Sequence, residues 1–417
     1  MGNLLISTGV SCLSRLDSSV TCLNINTKSI NDEIVKFWQI EDVNTEKTML
    51  SDSEKYCQNH FEQSTERDPV GRFIVKIPFK NSLEKLGDSR RMALNRFKTC
   101  ENKLNKNSEL KKEYNSFMQE YLDLGHMKEV KDENEQNKDG YYMPHHAIFK
   151  NSVTTKCRVV FDASVKTDSG LSLNDVQFCG PTLQRDIFDI LINFRQYKYV
   201  MTADVSKMYR QILIHNDIKK YHRIFWRFNP DESLKCFELQ TVTYGTASAP
   251  YLAVRCLLQL AYDHEMQYPV ASDIIKNNFY MDDCLAGADS VDELLNIQRD
   301  VTKILSSGGF ELRKWLSNKK EILKKIEINS NLDVSVLNIG QNQQNKTLGV
   351  VWNSERDTFG YSVNISVPSE LSKRSVLSII CQVFDPIGVL GPILTSCKLI
   401  MQELWKLKTW IIQCQII

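Results

Sequence analysis

The residues Phe279-Tyr280-Met281-Asp282-Asp283 constrain this chain more than any other feature. Two adjacent aspartates follow an aromatic and a flexible apolar residue. The apolar or small run Cys284-Leu285-Ala286-Gly287 comes directly after them. Two such runs around a short polar break predict a tight β-hairpin with the acid pair at its tip. A hairpin tip aims two carboxylates at one place, and Mg²⁺ binds through one or two carboxylates together with substrate phosphates. An isolated Asp-Asp is more often a solvated turn, so the chemical reading needs a third acid held nearby.

Asp204 is that acid. It ends the apolar stretch Tyr199-Val200-Met201-Thr202-Ala203, which reads as a buried strand. The run Val205-Ser206-Lys207-Met208-Tyr209-Arg210-Gln211-Ile212 after it reads as a turn into a short helix. A carboxylate at the end of a core strand is held rigidly. Two metal ions about 3.5–4 Å apart can be bridged by such carboxylates and phosphates, one activating an attacking hydroxyl and the other stabilising a leaving pyrophosphate. Phosphoryl transfer asks the protein mainly for this positioning and charge neutralisation.

The order of these features resembles the palm domain of reverse transcriptases: an aspartate, an aromatic five residues on, a Gly/Ser/Pro segment, then Tyr-Met-Asp-Asp. Further segments narrow the resemblance to the Bel/Pao group of LTR retrotransposons. They are Tyr141-Tyr142-Met143-Pro144-His145-His146, Thr155-Lys156-Cys157-Arg158-Val159-Val160-Phe161-Asp162-Ala163-Ser164 and Gly170-Leu171-Ser172-Leu173-Asn174-Asp175. Gly180-Pro181-Thr182-Leu183-Gln184, Thr243-Tyr244-Gly245-Thr246-Ala247-Ser248-Ala249-Pro250, the stretch from Gly308-Gly309-Phe310 to Asn318, and Phe384-Asp385-Pro386-Ile387-Gly388 also fit. The resemblance extends over residues 30–410, and the motifs are specific as a set.

The resemblance implies an α+β right-hand polymerase of fingers, palm and thumb, with an antiparallel palm sheet. It implies an RNA-directed DNA polymerase that adds deoxynucleotides to a primer 3′-end. Asp204, Asp282 and Asp283 would be catalytic and hold two Mg²⁺ ions, with Mn²⁺ as a substitute. Arg158 takes the place of a triphosphate-gripping arginine, whose planar fork holds phosphate oxygens bidentately. Lys156 on the same expected hairpin and Lys150 would add cations. Tyr209 would lie under the sugar of the incoming nucleotide and exclude a 2′-hydroxyl sterically. Tyr244 and Gly245 would line the nucleotide and template, glycine allowing close backbone approach; the family's retroviral members carry glutamine where Tyr244 stands. Lys314 would protonate the departing pyrophosphate as a general acid. Leu348 and Gly349 resemble a primer grip. The partners implied are an RNA template, a DNA primer or duplex, dNTPs and other segments of the retroelement polyprotein.

Along the chain, residues 1–95 read as a connector following a protease region, 96–200 as fingers with a leading helix, 201–326 as palm, and 327–417 as primer grip and partial thumb or connection. One long amphipathic helix is predicted over 97–127, with Leu110, Tyr114, Phe117, Met118, Tyr121 and Leu122 on one face. Residues 129–140 read as a charged linker and 327–347 as an Asn- and Gln-rich loop. Arg313, Lys314, Lys319, Lys320, Lys324 and Lys325 form a basic cluster suited to salt-dependent backbone binding. Trp315 and Trp352 would stack on bases or fill core.

Composition limits the alternatives. Hydrophobic content of 42% and charged content of 25% are those of a globular protein. A net charge of +1 requires any nucleic-acid surface to be built from clustered cations. No apolar run is long enough to span a membrane, and no signal peptide begins the chain. The 12 cysteines lack a Cys-x-x-Cys pair and read as reduced thiols in an intracellular protein; the resemblance implies a cytoplasmic retroelement particle. Asp168-Ser169-Gly170 copies an aspartic-protease triplet without a partner copy or a following apolar strand. His145-His146 is not a metal pair, because adjacent strand residues face opposite ways. The competing reading is a catalytically inactive or truncated relic that binds nucleic acid or protein without polymerising. It draws on the missing RNase H acid set and zinc knuckle, and on the unusual ending Ile-Ile-Gln-Cys-Gln-Ile-Ile.

Overall fold

The structure is a computed structural model that describes residues 50–80, 83–130, 140–149, 157–329, 345–348, 350–361 and 372–406. Its strands, in chain order, are β1 (Glu66–Arg67), β2 (Phe73–Val75), β3 (Met127–Glu129), β4 (His145–Phe149), β5 (Cys157–Phe161), β6 (Tyr199–Val205), β7 (Leu213–Ile214), β8 (Arg223–Trp226), β9 (Lys235–Leu239), β10 (Phe279–Tyr280), β11 (Asp283–Ala288), β12 (Leu312–Ser317), β13 (Asn345–Thr347), β14 (Val350–Asn353) and β15 (Thr358–Gly360). Helices and sheets are mixed, and every strand pair is antiparallel except β2 with β7.

A four-stranded sheet in the order β10-β11-β6-β12 lies at the centre. Its strands are apolar on both faces, because each face carries a separate core. Met201, Ala203 and Val205 of β6 point one way, with Cys284, Ala286 and Ala288 of β11, against helices Ala249–His264, Pro269–Asn277 and Val291–Ser307. Val200, Leu285 and Leu316 point the other way, against helix Ile187–Phe194 and β14. This two-residue alternation is that of any pleated strand. Helix Val291–Ser307 shows how the sequence sets its supports. The Ser290 side chain caps it by accepting from Glu293 N, and Asp292 and Glu293 sit at the positive end of its dipole. Leu294, Ile297, Val301, Ile304 and Leu305 then recur at helical spacing on the buried face. Fully burying such a side chain contributes roughly 1.5–3 kcal/mol.

A second core surrounds the sheet β3-β9-β8 and the hairpin β4-β5. The long helix expected over 97–127 is two helices, Arg90–Asn105 and Ser108–Asp123. Asn107 causes the break: its side chain accepts from Leu110 N at 3.0 Å and starts the second helix. Tyr114, Met118 and Tyr121 are buried on the predicted face, with Leu110, Phe117 and Leu122 partly buried beside them. His145 is buried and His146 is exposed, as strand alternation requires. The Nδ1 of His145 bonds the Tyr114 hydroxyl and its Nε2 donates to the Phe225 carbonyl at 2.9 Å.

Residues 52–75, expected as part of a separate connector, are integral to the central core. Cys57 and Phe61 of helix Asp52–Ser64 and Phe73 and Val75 of β2 pack in one cluster with β6. The Arg255 guanidinium lies 4.6 Å from the Phe61 ring centre, and Arg67 pairs with Asp263 at 2.6 Å. The acidic and polar composition of the region hid these few anchoring apolar residues. Trp315 and Trp352 are each 1% exposed and belong to the cores, so neither reaches a base. Among the described residues, no cysteine is in a disulfide, and no helix is long and apolar enough to cross a membrane.

Candidate active site

The tight turn appears where the sequence placed it. Phe279 pairs with Cys284 and Tyr280 with Asp283, so Met281 and Asp282 form a two-residue hairpin loop. Such loops need positive φ to match strand twist, and Met281 supplies it at φ +54° without being glycine. Asp282 is exposed at the tip, and its carbonyl accepts from Val205 N at 2.8 Å. Asp283 opens β11 directly opposite Asp204, the penultimate residue of β6. Like charges facing each other across a strand pair are unfavourable. Burial, then the charges of Asp282 and Asp204, raise Asp283 to about 7. The walls around the turn and then the charge of Asp204 also raise Asp282, while Lys314 and Arg158 pull it down. Three carboxylates therefore share one field and favour a bound cation.

The cation present is Lys314, whose Nζ lies 3.0 Å from Asp204 Oδ2. It reaches there through a bulge in β12. Arg313 faces Asp204, but Leu316 faces Thr202, so three steps along β12 span two along β6. Lys314 takes up the extra residue with φ +56°. Bulges of this kind bend a strand and re-aim a side chain, often beside active sites.

A second group of predicted residues gathers around Asp282. Tyr209 follows the left-handed Lys207 on a short 3-10 helix, Met208–Gln211. Burial, then the Asp282 charge, push its hydroxyl up to about 12, with Arg158 opposing. Arg158 is exposed on β5 and stands 5.4 Å from the Tyr244 ring centre. The Tyr244 hydroxyl donates to the Val159 carbonyl at 2.5 Å, which ties its loop to β5. Gly245 has φ +98°, and a Cβ there would stand 2.3 Å from the Phe161 carbonyl oxygen.

Other predicted residues lie apart. Leu348, at φ +52°, opens the turn between β13 and β14 and packs against the core of Trp352 and Phe194. Lys150, Lys156 and Gly349 fall outside the described residues. The basic cluster is partly neutralised, Arg313 pairing with Glu311 at 2.8 Å and Lys320 with Glu355 at 2.9 Å.

Asn174 and Gln184 lie within the motifs at 170–175 and 180–184, and the sequence alone assigns neither a role. Asn174 brackets the loop that carries Tyr244 and Gly245, donating to the Gly245 carbonyl at 3.0 Å and accepting from Ala247 N at 2.9 Å. Gln184 accepts from Met281 N at 3.1 Å. A short polar side chain inside a loop motif was the available signal, yet its partners lie about seventy to a hundred residues away in sequence.

The donor set at the turn is oxygen only, which suits a hard cation. Among the described residues, no three His, Cys, Asp or Glu side chains stand close enough to enclose one ion.

Comparison with known families agrees with this geometry. Residues 147–350 match the family model of reverse transcriptases (RNA-dependent DNA polymerases). Residues 372–411 match the Pao retrotransposon-like RNaseH-like domain, a segment whose sequence reads as partial thumb or connection. No curated protein matches the chain. The first match brings a polymerase palm-type fold, and β6 and the β10-β11 turn lie inside it. With its acidic turn, its facing Asp204 and both family matches, the chain is the reverse transcriptase region of a Pao-type retrotransposon, an RNA-directed DNA polymerase.

Proposed function

We propose that Asp204, Asp282 and Asp283 are the metal-binding carboxylates of this polymerase and that the residues around them hold a primer 3′-end and a dNTP. The observation that carries the reading is the direct cross-strand pairing of Asp204 with Asp283 beside the Asp282 turn. When bound, Mg²⁺ supplies the Lewis acid that activates a 3′-hydroxyl and neutralises triphosphate charge. Asp204 and Asp283 are held rigidly by β6 and β11, with Asp282 on the turn that joins β10 to β11, before any substrate arrives. Arg158 grips phosphate oxygens above Tyr209, whose partly buried ring closes the space under the sugar. Tyr244 and Gly245 form the adjoining wall, with Asn174 fixing the loop. Lys314 Nζ sits at Asp204 and passes a proton to the departing pyrophosphate.

The second core with β4-β5 corresponds in this reading to fingers, the four-stranded sheet and its helices to palm, and the β13-β14 turn to a primer grip. The template is the element's own RNA and then the first DNA strand, copied in a cytoplasmic particle. Asp204→Asn tests the assignment. It should abolish dNTP addition to a primed RNA while duplex affinity stays within about threefold, since chemistry rather than backbone contact is lost. Addition retained by Asp204→Asn would refute the reading.

A further inference from the structure

We infer that Gln184 is a positioning residue for the acidic turn: its side-chain carbonyl holds Met281 in the left-handed conformation and so sets where the Asp282 carboxylate stands. The inference rests on the reading of Asp282 as a metal ligand.

Met281 carries φ +54°, a conformation that non-glycine residues adopt infrequently and keep only when surroundings over-determine it. The described structure shows what over-determines it. Gln184 Oε1 accepts from Met281 N at 3.1 Å, and Val205 N donates to the Asp282 carbonyl at 2.8 Å. Each of the two loop residues is thus fixed by one bond, and the two bonds come from different supports. Val205 belongs to the strand that carries Asp204. Gln184 belongs to the segment leading into helix Ile187–Phe194, started by Asp186, which accepts from Phe188 N at 2.8 Å.

That helix is itself attached to the hairpin. Ile190, Leu191 and Phe194 share a core with Leu285 of β11, and Asn193 Nδ2 donates to Asn278 Oδ1 at 3.3 Å, just before β10. Gln184 is therefore presented from a body that moves with the base of the hairpin. Without its acceptor, the Met281 amide loses its partner and the turn is free to relax. The Asp282 carboxylate, one residue on, would move with it.

The test uses the full chain with Gln184→Met, which keeps side-chain length and removes the acceptor. Mn²⁺ binding is measured by electron paramagnetic resonance, single-turnover primer extension is measured beside it, and thermal melting checks folding. Displacement of one metal-binding carboxylate by an ångström predicts Mn²⁺ affinity lower by about tenfold and an extension rate lower by about 10- to 100-fold, with dNTP half-saturation within about twofold. Adding Met281→Gly should restore Mn²⁺ affinity to within about threefold, because glycine enters the left-handed region without help. A merely structural contact would lower the melting temperature and leave the metal affinity of the folded protein unchanged.

Wild-type Mn²⁺ affinity and rate in Gln184→Met would overturn the inference. So would a loss of affinity that Met281→Gly does not repair. If the wild type binds Mn²⁺ but does not extend a primer, the polymerase reading of this chain fails while the Mn²⁺ comparison still decides the role of Gln184. A wild type that binds no Mn²⁺ sinks both.

Discussion

Gly245→Ala is the substitution whose effect follows most directly from the structure. The new Cβ would stand 2.3 Å from the Phe161 carbonyl oxygen, where carbon–oxygen contacts ordinarily begin near about 3.3 Å. Backbone must therefore move by about an ångström, because the obstacle is itself backbone at the end of β5. The φ of +98° adds strain of about 1–3 kcal/mol for a residue with a Cβ. Separating the loop from β5 endangers the Tyr244–Val159 bond of 2.5 Å and the Asn174–Gly245 bond of 3.0 Å. Losing one of them removes about 1 kcal/mol. Together these predict destabilisation of about 2–4 kcal/mol, a fall in Tm of roughly 2–5 °C for a chain of this length. An ångström shift of the wall next to Arg158 predicts kcat/KM for dNTP lower by on the order of 100-fold. Calorimetry and single-nucleotide incorporation on primed RNA measure the two. Gly170→Ala is the control, since Gly170 has φ +78° but nothing within 4 Å of the new Cβ. It should pay only backbone strain and keep its activity. A Gly245→Ala protein that melts and polymerises like Gly170→Ala would refute the reasoning.

Tyr209→Ala opens the space under the sugar and should lower discrimination against rNTPs by about 10- to 100-fold, measured as the ratio of kcat/KM values; an unchanged ratio removes Tyr209 from sugar selection. Acid should destabilise the fold through its buried histidines. Burial holds His145 and His222 at about 4, below the ordinary 6.5, so both are neutral in the folded state. As pH falls below 6.5 the unfolded chain takes up protons first, and stability present above 6.5 is lost down to about 4, at about 1.4 kcal/mol per histidine per pH unit. Urea midpoints equal at pH 7.5 and 5 would contradict this. Lys314→Met should leave Tm within a few degrees, because its pair with Asp204 is part-exposed and worth at most about 1 kcal/mol. It should lower the incorporation rate by about 100-fold if Lys314 serves as general acid, and a wild-type rate would exclude that role.

The acidic turn, the Asp204 strand and the β4-β5 hairpin were legible because each is local: apolar runs, a short break and a residue at the tip. The buried face of helix Ser108–Asp123 was legible for the same reason, through its 3.6-residue period. The helix break was missed although Asn107 signalled it, because apolar spacing nearly continues across the cap. Cys57, Phe61, Phe73 and Val75 were missed as part of the central core because their partners lie far along the chain. The same distance hid Gln184, whose partner Met281 is 97 residues away. The β12 bulge that turns Lys314 toward Asp204 carries no glycine to announce it.

The most direct test is single-turnover primer extension on poly(rA)/oligo(dT) with dTTP and a Mg²⁺ titration, wild type beside Asp282→Asn. The account predicts Mg²⁺-dependent extension by the wild type and none by Asp282→Asn at any Mg²⁺ concentration, with equal binding of the primed template. Equal extension by the two proteins, or none by a wild type that is folded and binds the duplex, would contradict it.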